Sequence, residues 1–139
     1  ADNIRILQDN TATAAQAAQA LGCAVGEIAK SLMFRRRRDD APILAVLSGA
    51  ARVDIKKLSR AVDGDVSKAD ADFVKTHSGY EIGGVPPLGH MHPPITIFDQ
   101  GLQDYAVVWA AAGSPFAVFA AAPNALANAA KATMADIAE

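Results

Sequence analysis

The chain has 139 residues, a length that suits one domain and is too short for two well-cored ones. It is 51% hydrophobic and 20% charged, so it can bury a core and is not composed like a disordered chain. A net charge of −2 excludes a generally basic nucleic-acid binder, so no DNA partner is expected and any RNA contact has to be local.

The lone cysteine, Cys23, rules out an internal disulfide framework and fits a reducing, cytoplasmic location. No apolar run is long enough to span a bilayer, so no membrane association is expected. Ala1-Asp2-Asn3 shows no basic-then-apolar signal pattern, and the missing initiating methionine leaves room for processing.

In chain order, Asn10 or Thr11 caps a first helix carrying Ala14, Ala15, Ala18 and Leu21, with Gly22 as its stop. A turn of helix around Val25 to Ala29 follows. Ser31 to Arg37 and Pro42 to Leu47 read as two strands of a hairpin joined by Asp39-Asp40-Ala41. Asp54 starts a helix through Val62, with Ile55, Leu58 and Val62 on one face. Asp70 starts another through about His77, closed by Gly79. Gly83 to Pro87 is punctuated as a loop. Ile95 to Phe98, Tyr105 to Ala110 and Pro115 to Ala120 read as strands, and Pro123 or Asn124 opens a last helix. No repeat or linker divides the chain. The expectation is one α+β domain over residues 1–139, with a curved mixed β-sheet or partial barrel surrounded by helices.

Two stretches are candidates for chemistry. In Glu27-Ile28-Ala29-Lys30-Ser31-Leu32-Met33-Phe34 a lysine sits where a helical turn enters an apolar strand. It is either a lysine snorkelling at a strand end or a fixed cation beside a substrate phosphate or ester. In Gly79-Tyr80-Glu81-Ile82-Gly83-Gly84-Val85-Pro86-Pro87-Leu88-Gly89-His90 paired glycines allow close approach of backbone, and two prolines stiffen the loop. Such a loop can present amides to a carbonyl oxygen or a terminal phosphate, or be an ordinary tight connection.

These stretches fall in a definite order: Ile28-Ala29-Lys30-Ser31-Leu32, then Gly49-Ala50-Ala51-Arg52-Val53-Asp54 with Lys57-Leu58, then Gly79 through His90. That order resembles the YbaK/ProX family of aminoacyl-tRNA editing domains, which includes free-standing proteins and the editing insertion of bacterial prolyl-tRNA synthetases. The similarity runs from about Thr11 to Leu126.

The resemblance implies a trans-acting deacylase that hydrolyses the ester of a mischarged tRNA, most often tRNA for proline. Its partners would be the acceptor end of that tRNA and a prolyl-tRNA synthetase. Lys30 matches the family's functional lysine; Lys30 and Gly84 are the implied catalytic positions. Gly83, Val85, Pro86, Pro87, Leu88, Gly89 and His90 match the substrate-holding loop. The resemblance implies no metal, no cofactor and no covalent nucleophile, with water activated by a hydroxyl or phosphate of the tRNA.

The late stretches Ala110-Ala111-Ala112-Gly113 and Phe116-Ala117-Val118-Phe119 are nearly all apolar, unlike the cysteine-removing branch. They suggest a small pocket for alanine, serine, threonine or 2-aminobutyrate. A pocket rejects what does not fit more readily than what is too small.

Other features compete. His90 and His92, with His77 upstream, could pair on a metal, although no HExxH or cysteine cluster supports one. Arg35 to Arg38 is either a solvated hairpin end balanced by Asp39 and Asp40 or a phosphate contact, with Arg36 and Arg38 as the candidates. Cys23 reads as a buried, inert thiol, and Trp109, Tyr105, Phe34, Phe116 and Phe119 as core. The alternatives to a deacylase are a non-catalytic module that binds a tRNA end or nucleotide, and a histidine-metal hydrolase.

Overall fold

The structure, a computed structural model, describes residues 4–6, 14–80, 85–87, 90, 93–114 and 117–139. Among the described residues eight strands form one mixed sheet: β1 (Ile4–Ile6), β2 (Ile28–Arg36), β3 (Ala41–Ser48), β4 (Val66–Lys68), β5 (Ile95–Asp99), β6 (Val108–Ser114), β7 (Ala117–Ala121) and β8 (Thr133–Ala135). The spatial order is β1-β7-β6-β2-β3-β5-β8, with β4 beside β2. The α-helices among the described residues are α1 (Ala14–Leu21), α2 (Ile55–Ala61), α3 (Ala71–Ser78) and α4 (Pro123–Ala129). The α+β expectation with a mixed sheet therefore holds. Among the described residues no helix is long and apolar enough to cross a membrane.

β3 is an interior strand of the sheet, between β2 and β5. Ile43, Leu44, Ala45, Val46 and Leu47 are all fully buried, because the strand is covered on both faces. Met33, Leu44, Val46, Val74, Val85, Phe98 and Leu126 pack on one face of the sheet. Phe34, Ile43, Ala45, Leu58, Val62, Ile97 and Ile137 pack on the other. Ala17 and Ala18 of α1 close against Ile28, with Trp109 partly buried alongside.

Local signals place the helices well. The Asp54 carboxylate accepts from Lys56 N at 2.9 Å and Lys57 N at 3.1 Å, capping α2. Asp70 accepts from Phe73 N at 2.8 Å and caps α3, which ends on Gly79 at φ 81°. Pro123 occupies the first turn of α4. Gly22 stops α1 at φ 71°; its expected caps, Asn10 and Thr11, lie outside the described residues.

Several boundaries differ from expectation. The helical turn covers only Val25–Glu27, and β2 begins at Ile28, so Lys30 lies within the strand rather than at its entrance. Tyr105 is not in a strand: Asp99 accepts from Gly101 N at 3.1 Å and opens a 3-10 turn, Gln100–Asp104, delaying β6 to Val108. β4 and β8, three residues each, are strands that no local pattern announces.

Candidate functional site

β2 carries the site. It pairs with β3 from Ala29↔Ser48 to Arg36↔Ala41. On its other side it meets β6 only at Ile28 and Ala29, and β4 only at Phe34 to Arg36. The segment from Lys30 to Leu32 thus has no strand partner on that side among the described residues. Ile28 O accepts from Gly49 N on the β3 side, and Met33 O accepts from Ala69 N on the other side. Peptide groups alternate along a strand, so the Ser31 N–H and C=O face the open edge.

A groove of about 520 Å³ lies along this gap. Ser31, Met33, Ser67, Val74 and Val85 line it on one face of the sheet, and Val53 and Ile55 line it on the other. Its volume falls in the range of small-molecule sites. The Oγ atoms of Ser31 and Ser67 are buried and have no protein partner among the described residues.

Lys30 is next to this gap and its ammonium donates to Ala51 O. The stem is half-buried, so the cation is aimed rather than swept through solvent. Burial lowers its pKa from the ordinary 10.5, and the nearby Arg52 charge adds to the fall. An ammonium has three donors, and two remain beyond the Ala51 bond for a substrate oxygen.

The Gly49–Asp54 stretch positions the lysine's acceptor. Ala51 N donates to Ser48 O at 2.9 Å, and the Ser48 hydroxyl donates to Gly26 O at 2.8 Å. The turn that presents Ala51 O is tied to the turn that precedes Lys30.

Of the expected substrate loop, Gly83, Gly84, Leu88 and Gly89 lie outside the described residues, as does His92. Val85, Pro86 and Pro87 are buried, and Val85 reaches the groove. His90 Nε2 lies 2.6 Å from Pro86 O. A carbonyl only accepts, so that nitrogen carries the proton. Nδ1 is buried without a partner among the described residues, and the ring meets Tyr80 edge-on at 5.9 Å. Burial lowers the His90 pKa from 6.5, against the pull of the Pro86 bond. The folded value lies below the unfolded one, so this contribution to stability is present above 6.5 and is lost as pH falls beneath it.

His77 stacks on Phe73 in α3, with ring centroids 4.2 Å apart. Among the described residues no three His, Cys, Asp or Glu side chains cluster as a metal site. Cys23 is half-exposed, not buried; its pKa is raised by partial burial and then by Glu27. Ala110 and Ala117 are core residues, Ala111 and Ala112 are partly exposed on β6, and none of the four lines this groove.

The arginine run divides. Arg36 donates to Asp39 at 3.0 and 2.8 Å and to Val62 O at 2.7 Å, so its fork is occupied by the fold. The Arg36 bonds hold Asp39 down to about 2. Arg35 pairs with Asp40 at 3.4 Å. Arg37 and Arg38 are exposed in the hairpin turn. Arg37 joins Lys56 and Arg60, together with Asp63 and Asp65, around a second depression of about 690 Å³. This depression shares Arg37, Ile55 and Val66 with the groove. The signal sequence reading missed is the pairing of Lys56 and Arg60, one helical turn apart, with an arginine distant in sequence.

The Aminoacyl-tRNA editing domain model matches residues 8–129. The chain belongs to that family. A Bacillus subtilis (strain 168) protein, the uncharacterized YwhH, is 34% identical over 113 residues, covering 81% of this chain and 71% of YwhH. Among solved structures, one provisionally described as a trans-editing enzyme for prolyl tRNA synthetase is 40% identical with a TM-score of 0.90, covering 98% of this chain and 85% of its own. Another, the hypothetical protein APE2540, is 29% identical with a TM-score of 0.91, covering 98% and 90%. The family supports aminoacyl-tRNA editing, by deacylation, as the general activity.

Proposed function

We propose that the protein is a trans-acting deacylase that removes a small uncharged amino acid, such as alanine, serine, threonine or 2-aminobutyrate, from mischarged tRNA for proline. The observation that carries this reading is the half-buried Lys30 ammonium, fixed on Ala51 O where β2 has no second strand partner among the described residues. Water attacks the ester carbonyl carbon, and the carbonyl oxygen becomes an oxyanion. Lys30 offsets that charge or an adjacent phosphate. The ester C–O bond then breaks, the terminal ribose oxygen takes up a proton, and the free amino acid leaves. Water's proton passes to a hydroxyl or phosphate of the tRNA. The open-edge C=O of Ser31 suits the substrate's α-ammonium. Gly83, Gly84, Leu88 and Gly89 keep their proposed role in holding the carbonyl or terminal nucleotide, and the protein acts beside a prolyl-tRNA synthetase.

The test is a panel of mischarged tRNAs, followed as loss of acylation over time. Loss from alanyl-, seryl-, threonyl- or 2-aminobutyryl-tRNA with prolyl-tRNA spared is the expected result. Binding without ester loss would turn the reading to a non-catalytic tRNA-end module. Activity is expected to survive exhaustive chelation. Loss on chelation with recovery on added zinc would restore the histidine-metal alternative.

Phosphates of the acceptor end are proposed to run along Arg37, Lys56 and Arg60. Changing Arg37 and Arg60 to alanine together should weaken tRNA binding and reduce the slope of log affinity against log salt by about 2, one released counterion per contact. Arg36→Ala, by contrast, should lower the melting temperature, because it strips Val62 O and Asp39 of their partner. An unchanged salt slope in the double variant returns these cations to ordinary surface charge.

A further inference from the structure

Asp99 has a buried carboxylate that the chemistry at Lys30 does not use; it sits at the end of β5 and is 4% exposed. A buried carboxylate needs partners. Its partners are two backbone N–H groups from separate segments. Oδ2 accepts from Gly101 N at 3.1 Å, and Oδ1 accepts from Ile137 N at 3.0 Å. The first bond opens the 3-10 turn. The second ties down the segment that follows β8, and that segment leads back to Lys30.

Ile137 is fully buried among Phe34, Ile43, Leu58 and Ile97. Its carbonyl accepts from Asp54 N at 2.7 Å, and Glu139 N donates to Arg52 O at 2.8 Å. These two bonds flank an antiparallel bridge between Val53 and Ala138. Lys57 of α2 clasps the same segment, donating to Asp136 at 3.0 and 3.1 Å and to Ala138 O at 2.8 Å. Residues 137–139 are thus a strap laid along residues 52–54. The carbonyl that holds the Lys30 ammonium belongs to Ala51, immediately before Arg52. Ser48 O fixes the upstream side of that residue through Ala51 N, and the strap fixes the downstream side.

We propose that the strap, anchored on Asp99, positions Lys30 by immobilising the turn that presents Ala51 O. Its part in catalysis rests on the deacylase reading; its hold on the ammonium does not. The strap touches no substrate and acts through Lys30. A cation is fixed only if its acceptor is fixed. A turn pinned at its Ser48 end alone would let Ala51 O swing, and the ammonium with it.

Asp99→Ala strips two buried N–H groups at once and threatens the fold, so the deciding variant is Glu139→Pro. Proline removes the N–H that Arg52 O accepts, and Ala138, extended in the bridge, tolerates a proline after it. The bonds of Ile137 and Lys57 remain, so the chain should fold. The order parameter of the Lys30 ε-methylene, from NMR relaxation of the free protein, should fall towards that of the exposed Lys68. Single-turnover deacylation of mischarged tRNA should slow about tenfold, because displacing a catalytic group by even about an ångström reduces rate steeply. Glu139→Ala, which has the N–H, should recover both quantities. In a Lys30→Ala background the proline should slow the reaction no further, since its effect passes through that ammonium. Lys57→Met, which frees the strap from α2 without touching Arg52, should lower the same order parameter. The proposal is overturned if the Lys30 order parameter is unchanged in Glu139→Pro or, should that chain not fold, in Lys57→Met. It is overturned equally if the proline slows Lys30→Ala by the factor it slows the unaltered protein. If the order parameter falls in a protein that deacylates no tRNA, the strap's hold on Lys30 stands and the deacylase reading falls.

Discussion

Lys30→Ala is expected to slow single-turnover deacylation of the best mischarged tRNA about a hundredfold or more, the scale set by losing one electrostatic stabiliser in a site shielded from water. The fold should survive. The change leaves Ala51 O without its donor, which costs about 1 kcal/mol, and removes no core contact of the kind that Phe34 or Leu47 makes. Lys30→Arg should restore only part of the rate, because the broader guanidinium cannot occupy the same point beside Ala51 O. A pH profile adds a second readout. Burial and Arg52 place the lysine's folded pKa below 10.5, so the cation is lost earlier on the alkaline side than in a free lysine. The enzyme-dependent rate should fall as pH rises through that lowered value, while Lys30→Arg, which stays protonated, should not show this fall. Stability moves the other way: the unfolded chain holds the proton more firmly, so folding gains as pH rises through the interval beneath 10.5. Near-normal rates in a well-folded Lys30→Ala variant would remove the lysine from the mechanism.

The sequence made Lys30 visible for a local reason, a lone cation entering an apolar strand. It did not make the open edge visible. That edge exists because β6 stops pairing at Ala29 and β4 starts at Phe34, and both partners come from far along the chain. Ser31 and Ser67 carry no local signal either, since a serine in a strand is unremarked until its neighbours are known. The helices were legible because their caps are written in single residues: Asp54, Asp70, Gly79 and Pro123. β4 and β8 were not, because three residues cannot display a period. They are strands by virtue of the edges that β2 and β5 offer. The arginine run shows the same limit. Its balance by Asp39 and Asp40 was legible and the pairs Arg36–Asp39 and Arg35–Asp40 are formed, but the capture of the Arg36 fork by Val62 O, far along the chain, was not. The order of the Gly49–Asp54 stretch was readable as a resemblance, while its physical purpose required the contacts.

Gly49→Ala should expose that purpose. A Cβ built on Gly49 lies 2.5 Å from Val25 O and 2.8 Å from Ala14 Cβ. The nearer neighbour is backbone in the turn before β2, so it cannot swing aside as a side chain would. Gly49 N also donates to Ile28 O at 2.6 Å, which fixes the spacing the new methyl must widen. Overpacking of this kind costs about 1–3 kcal/mol. The melting temperature should fall on the order of 5–10 °C for a chain of this size. Activity should fall too, and for a separate reason. Pushing residue 49 away from Val25 carries the following turn with it, and that turn holds Ala51 O against the Lys30 ammonium. Ala50→Ser, one exposed residue further on, is the control and should change neither quantity. Deacylation is measured per folded molecule, at a temperature well below both melting transitions. A drop in rate alongside the drop in melting temperature ties the close approach at Gly49 to the aim of Lys30. Unchanged melting would mean that the turn has slack the contact distances deny. Lower melting with an unchanged rate would mean that Lys30 finds its position without Ala51.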